Sequence, residues 1–503
     1  MAKVIINRFD GGNAEDILTK ATNECELSYG FDIFKSKDKL IKLYSQIQET
    51  TNSVPMYDVG LTTIAGTDYL VGVGENTTVS ARLAFYTRAS TSVNGSFTSQ
   101  QALSAYNIAG GTYIEYGGVA YAMTATGAAP TTYRLESFTA AGVTTVVGSF
   151  TDTSTYTYHP RPFIHPDDKI LYMCIGTTIA KYNLATTTFS SHTGILPTGY
   201  KVVSVTNFGG YLAIAMNPLL AGQQSLLLLW GRDTSITTLQ ASINCGTRAI
   251  TCIENLNGEL VLVFVPENSS FIVDKYIDIK VYRGGDYLDS IKSILVPSAY
   301  VTNPTLAKAK YRDRLYFGCG GYPALHSVGK NSTGQYTIST MNMIYDGSIG
   351  AVANAISSVS NISFVNDICY IAFRTTGGSF ILTASDVTTS IARYNNAVYR
   401  TSQNMGMNIA DRSDLKVVKS VKVIYKCYNA SGNTTTLSYS VDGSTDVVLS
   451  VNTNVSGQNI INVYSDTTGG NIKVGRYFTF QIDAVNNVEI EEIQYEYDTI
   501  SEN

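Results

Sequence analysis

The chain has 503 residues, enough to bury a large core and to hold more than one folding unit. Its 35 tyrosines against a single tryptophan, set among abundant Thr, Ser, Val and Ile, suit pleated sheets better than helices. Charged residues make up 15%, below the roughly 25% of ordinary soluble domains, and the net charge of −5 gives no reason to expect direct nucleic-acid binding.

In chain order, residues 1–55 come first as an extended arm. Arg8-Phe9-Asp10-Gly11-Gly12 opens an irregular stretch that reaches Phe31-Asp32-Ile33-Phe34, and Leu40-Ile41-Lys42-Leu43-Tyr44 follows. Short apolar islands between polar residues suit a segment laid over another surface, adding a strand to a blade or to a neighbouring subunit. Lys35, Lys37, Lys39 and Lys42 form a small basic cluster, read as a solvated face. The first residues lack the apolar run of a secretory signal, and no run approaches transmembrane length, so no membrane partner is expected.

Residues 56–400 repeat a strand–turn–strand unit seven times. The turns fall at Gly66-Thr67, Gly117-Gly118, Asp167-Asp168, Gly209-Gly210, Asn257-Gly258, Arg312-Asp313 and Asn366-Asp367, spaced 51, 50, 42, 48, 55 and 54 residues apart. Each leads into an alternating apolar strand such as Leu260-Val261-Leu262-Val263-Phe264. Gly, Asn and Asp tolerate the positive φ that two-residue hairpin loops need. Repetition at this period predicts a β-propeller of about seven four-stranded blades, with six or eight left open by the weak first copy. Further strands are predicted at Arg82–Tyr86, Thr132–Leu135 and Thr178–Asn183.

Residues 401–503 change rhythm. Six short strands with spaced turns, from Val417–Tyr425 to Val488–Tyr495, predict a β-sandwich. The fold class is therefore all-β: propeller, N-terminal arm and C-terminal sandwich.

Few residues suggest chemistry. The four histidines are His159, His165, His192 and His326, and the densest group is His159-Pro160-Arg161-Pro162-Phe163-Ile164-His165-Pro166-Asp167-Asp168. Two His and two Asp in ten residues could ligate a metal, but the prolines stiffen the segment and the aspartates occupy the repeated turn, so it reads as a blade-connecting loop. No lipase-type, zincin, Walker or Rossmann motif occurs. A propeller hydrolase would need carboxylates from different blades to converge on the channel; Glu115, Asp168, Glu254 and Asp313 are the candidates. The reading is a non-enzyme with no catalytic, cofactor-binding or metal residues and no cofactor. Seven scattered cysteines without a C-x-x-C pair indicate neither a disulfide framework nor zinc; Cys174 and Cys369 read as small buried hydrophobes. Eight N-x-S/T sequons, among them Asn361 and Asn454, read as by-products of Asn/Ser/Thr-rich segments. A surface of exported style on a chain with cysteines of reducing style fits a virus particle assembled in a cytoplasm.

Phe9-Asp10-Gly11-Gly12, Asp16 and Gly30-Phe31-Asp32-Ile33-Phe34 resemble the arm of β-propeller structural proteins of tailed bacteriophages. Arms of that family commonly carry an arginine shortly after the aspartate, where this chain has Ile17-Leu18-Thr19-Lys20. The resemblance covers about thirty residues and implies a virion component of the tail or neck, arranged around a symmetric axis and assembled in the bacterial host cytoplasm. Its partners would be other copies of itself and tail-tube, portal or neck proteins, with Phe9, Phe31, Ile33 and Phe34 as interface anchors. The alternative is a carbohydrate- or receptor-binding module with a surface glycan as partner, because Tyr-, Asn- and Thr-rich loops suit sugar stacking and hydrogen bonding.

Overall fold

The structure is a computed structural model. It describes residues 2–6, 12–13, 24–29, 31–34, 36, 38–42, 46–48, 56–64, 67–75, 82–89, 98–106, 113–126, 132–138, 144–152, 160–220, 222–233, 239, 241–265, 276–295, 307–319, 322–343, 356–365, 367–375, 380–385, 396–401, 415–428, 434–442, 444–464, 474–476, 478–485 and 487–500. All regular structure among them is β-strand.

Seven antiparallel four-stranded blades form the propeller. Four of them are uninterrupted local meanders, such as Tyr200–Phe208, Tyr211–Pro218, Leu226–Trp230 and Ala241–Asn244. The third blade is one of these four, with short inner pairing at Phe163–Ile164. The first two blades are joined into one eight-stranded sheet by a single register pair, Tyr106 with Ala125. In most blades the second strand is apolar and buried almost end to end, as in Glu259–Phe264, while outer strands such as Thr188–His192 stay partly exposed. Neighbouring blades bury these faces on one another. Tyr172 and Cys174 of the third blade, for example, pack with Leu212, Ile214 and Trp230 of the fourth.

The turn chemistry holds at most copies. Gly117 and Gly118 have φ of 60° and 80°, and Asn257 and Gly258 have 54° and 85°. Asn255 Oδ1 accepts from the Gly258 amide at 2.9 Å, which ties the latter turn to its strand. Arg312 and Asp313 adopt positive φ without glycine. In the third blade the turn is longer than the predicted dipeptide. His165 and Ile170 close it, positive φ falls on Lys169, and Asp168 Oδ1 instead accepts the Ile170 amide at 3.0 Å. Gly66 and Asn366 lie outside the described residues.

The seventh blade is completed from the far end of the chain. Ile356–Val365, Ile368–Thr375 and Phe380–Ser385 take Gln46–Gln48 as their fourth strand, with Ala384 opposite Ile47. A strand numbered within the arm thus closes the ring.

The rest of the arm builds the sandwich. One sheet runs Gly457–Tyr464, Leu415–Cys427, Val488–Ile500, Leu40–Lys42 and Phe31–Asp32, with Ala2–Ile6 also paired to Val488–Ile500. The other runs Gly12–Asn13, Glu24–Tyr29, Asn396–Thr401, Phe478–Val485, Thr434–Val441 and Val447–Thr453. All six predicted C-terminal strands are present, and Asn396–Thr401 joins them from before position 401. Val4, Ile6, Cys25, Phe31 and Ile33 share one core with Tyr425, Phe478, Phe480 and Ile490. The sandwich packs against Tyr336–Met343, the outer strand of the sixth blade, through Gly12–Asn13, Glu24–Tyr29 and Phe31–Asp32.

Candidate functional site

The innermost strands of the blades surround a central channel, and their register decides which side chains face it. Counting back from each turn, Glu115 and Lys310 stand nearest the turn face. Glu254 and Ser363 follow, then Tyr113 and Lys308, and Asp58 and Arg161 lie deepest. A cavity of about 370 Å³ opens here, lined by Tyr113, Glu115, Arg161, Phe163, Ser204, Glu254, Lys308, Lys310, Tyr311, Ser363 and Phe364, among others.

The deep end is closed by a polar network. Asp58 is fully buried and accepts from Arg161 Nη2 (2.9 Å), Ser363 Oγ (2.9 Å), and the amides of Val59 (2.9 Å) and Tyr113 (3.1 Å). Arg161 Nη2 also donates to Asn361 Oδ1 at 2.7 Å, which links the first, third and seventh blades. Burial pushes the Asp58 carboxyl above its ordinary value, against the opposing pull of Arg161 and the hydrogen bonds. Pro160 and Pro162 flank Arg161, so the stiff segment noted in the sequence aims a guanidinium into the channel.

A second pair sits across the ring. Lys308 Nζ donates to Glu254 Oε2 (3.0 Å) and to the carbonyls of Ile253 (2.7 Å) and Val205 (3.1 Å). Glu254 Oε1 accepts from Thr206 Oγ1 at 2.9 Å. At the mouth, Lys310 Nζ donates to the Asn255 carbonyl (2.7 Å), and Glu115 Oε1 accepts the Gly118 amide (2.8 Å). Tyr311 and Phe364 stack at 4.3 Å and 3° on one wall.

Of the four carboxylates singled out in the sequence, Glu115 and Glu254 reach the channel and the other two do not. Asp168 lies on the turn of the third blade, where it accepts from Tyr172 Oη (2.9 Å) and pairs with Arg232 of the fourth. Asp313 is itself a turn residue at φ 56°. The residues that sequence reading missed are Asp58, Tyr113, Arg161, Lys308 and Ser363. The repeat contained their signal, because a polar residue a few positions before a blade turn faces the channel.

His165 is buried beside Asp167, Asp168 and Arg232. Its Nδ1 accepts from the Asp167 amide (3.3 Å) and from Arg232 Nη1 (3.1 Å), which leaves Nε2–H to donate to the Tyr211 carbonyl (3.4 Å). Burial and the neighbouring guanidinium lower its pKa. Arginine therefore occupies the place a metal would need, and no cluster of His, Cys, Asp and Glu fit for a metal occurs among the described residues. His159 lies outside them. Cys25, Cys174, Cys245, Cys252, Cys369 and Cys427 are buried and form no disulfide, and burial pushes the Cys252 thiol up to about 12. Asn361 and Asn454 are buried, so those two sequons offer no surface to a glycan.

The arm anchors are met inside the chain. Phe31 and Ile33 are 0% and 1% exposed in the sandwich core, which leaves no surface of theirs for a neighbouring subunit. Phe34 is partly buried against that core, and the Arg314 guanidinium lies 4.3 Å from its ring centre while pairing with Asp32 at 3.2 Å. Phe9 lies outside the described residues, as do Lys35 and Lys37; Lys39 pairs with Glu489 and Glu491.

A different surface is left open. Val447–Thr453 and Gly457–Tyr464 are the end strands of the two sandwich sheets, and neither contains a charged residue. Val447, Val448, Val451, Val455, Ile460 and Tyr464 are 44–61% exposed there. The corner between the strands is held firmly. Asn459 pins the Val455 amide and carbonyl, and buried Asn454 accepts from Tyr425 Oη and Thr435 Oγ1.

The sequence matches no protein-family profile and no curated protein. Among solved structures, the chain is similar to the β-propeller domain of Myceliophteria thermophila Swd1. That match has 8% identity and a TM-score of 0.40, covering 66% of this chain and 99% of the other. It is also similar to an exo-β-1,3-galactanase from Phanerochaete chrysosporium, crystallised with galactose, at 10% identity and a TM-score of 0.29, covering 91% and 100%. The seven-bladed propeller joined to a sandwich is read from the chain's own strand pairing.

Proposed function

We propose that the protein is a non-enzymatic structural component of a tailed-phage virion, in the tail or neck, assembling in multiple copies through its sandwich. The open sandwich edge carries this reading. Natural proteins guard exposed edge strands with charge, proline or bulges. Here two adjacent edges carry no charge and no proline and expose apolar side chains, with a single bulge between Val448 and Ser450, on a corner braced by buried asparagines. Such an edge suits pairing with another copy or with a tail-tube, portal or neck protein. The non-enzymatic part rests on the channel, where Asp58 and Glu254 are held by in-chain cations and Glu115 accepts a turn amide.

Two measurements test it. Sedimentation velocity of the full chain is expected to show self-association that Val448→Lys and Ile460→Lys reduce at least tenfold. A strictly monomeric wild type that also binds no other virion protein would remove the assembly reading. Mass spectrometry of fully disassembled purified particles is expected to find the chain in stoichiometric amount, and its absence would remove the virion reading.

A further inference from the structure

The turn-face mouth of the propeller channel has the features of a ligand site that assembly does not use. Its cavity of about 370 Å³ lies within the roughly 300–1,000 Å³ of small-molecule pockets. Charge around it is balanced: of the lining cations, Lys308 and Lys310 stand beside the lining carboxylates Glu254 and Glu115, and Arg161 is paired with Asp58 buried behind the lining. A net charge on the ligand therefore gains little. The lining offers a donor in Lys310 and an acceptor in Glu115, while Tyr311 and Phe364, stacked on each other, add apolar ring surface. A molecule that donates, accepts and offers an apolar face without net charge matches that lining.

We propose that the channel mouth binds a neutral, polyhydroxylated ligand of one or two sugar rings, held by Lys310 and Glu115 at the rim and by the Tyr311–Phe364 wall. The deep network orients the site instead of contacting the ligand. Asp58, Ser363 and Asn361 fix the Arg161 guanidinium, which forms the floor. Lys308, tied to three oxygens, fixes Glu254 in the same way. The Lys310 ammonium donates to the Asn255 carbonyl and has further N–H donors to reach a hydroxyl. Glu115 Oε1 holds the Gly118 amide, and its second oxygen can accept from a hydroxyl.

The test is saturation-transfer NMR and calorimetry on the full chain. The neutral probes are glucose, galactose, mannose, N-acetylglucosamine, lactose and maltose; the charged probes are galacturonate, glucosamine and inorganic phosphate. At least one neutral sugar is expected to bind. Lys310→Ala should weaken it about tenfold, and Glu115→Gln, which keeps the amide contact, about threefold. Tyr287→Ala, on an exposed turn of the fifth blade, should leave binding unchanged. Binding of charged probes alone, of none of the probes, or of sugars with equal affinity in both rim variants would overturn the proposal. Diffraction from crystals soaked in the tightest-binding sugar gives an answer that does not depend on the variants folding. A sugar seated anywhere but against Lys310, Glu115 and Tyr311 would also overturn it.

Discussion

The propeller and the sandwich cover their sheets with opposite kinds of contact. Most blades pair strands adjacent in sequence and cover each face with the next blade, so the propeller's core is a chain of local agreements. The sandwich joins the two ends of the sequence, with Val4 opposite Tyr495 and Phe31 opposite Lys42 beside Val488–Ile500. Losing one blade's contacts should therefore damage the propeller in part, whereas losing the arm should remove strands from both sandwich sheets at once. Polar groups are placed differently too. The propeller sets the buried ion pairs Asp58–Arg161 and Glu254–Lys308 on its axis, while the sandwich keeps the ion pair Lys419–Asp498 exposed and exposes apolar groups at its edge.

Removing residues 1–48 should break the contrast most sharply. Amide exchange in Val488–Ile500 and Phe380–Ser385 is expected to become fast while Tyr211–Pro218 stays protected. Equal loss of protection everywhere would mean that the two regions fold as one unit. Next in size, Asp58→Ala strands Arg161 in the closed end of the channel. Denaturant unfolding is expected to show a loss of about 3 kcal/mol or more, confined to the propeller. Smallest is a pH effect. His326 is fully buried against Phe317, and burial holds its pKa down at about 3, so the folded state resists the proton that the unfolded chain accepts below about 6.5. Stability should therefore fall as pH drops, by about 2 kcal/mol between pH 6.5 and 5. His165 contributes in the same direction. His326→Phe should flatten the propeller's pH slope, and an unchanged slope would contradict the assignment.

How much of this was legible in the sequence follows from the same contrast. Blade turns could be read because their constraint is local: Asn257-Gly258 needs positive φ whatever surrounds it. The third blade shows the limit, since two aspartates resemble a dipeptide turn while the backbone takes its positive φ at Lys169. The six C-terminal strands were legible by alternation. The short strands of the arm were not, because Leu40–Lys42, which joins the sandwich, and Gln46–Gln48, which completes the seventh blade, are three residues each and carry no period. Phe31 and Ile33 stand out in the sequence as anchors, but pattern alone does not say whether an anchor is buried by its own chain. In the channel, Glu115 and Glu254 are legible as carboxylates close before a blade turn, whereas Arg161 lies among His159, His165, Asp167 and Asp168, whose residue types suggest a metal.

The closing strand also sets a schedule. Gln46–Gln48 is synthesised early, and its partner Phe380–Ser385 appears about 330 residues later. At roughly 5–20 residues per second, translation separates the two by some 20–60 s. Ala2–Ile6 waits longer still for Val488–Ile500. During that interval the arm's apolar islands have no partner of their own, and neighbouring nascent chains on one message offer the same strands. The ring thus remains open until Phe380–Ser385 has been made, and its closure is a competition in time between a chain's own later strands and its neighbours.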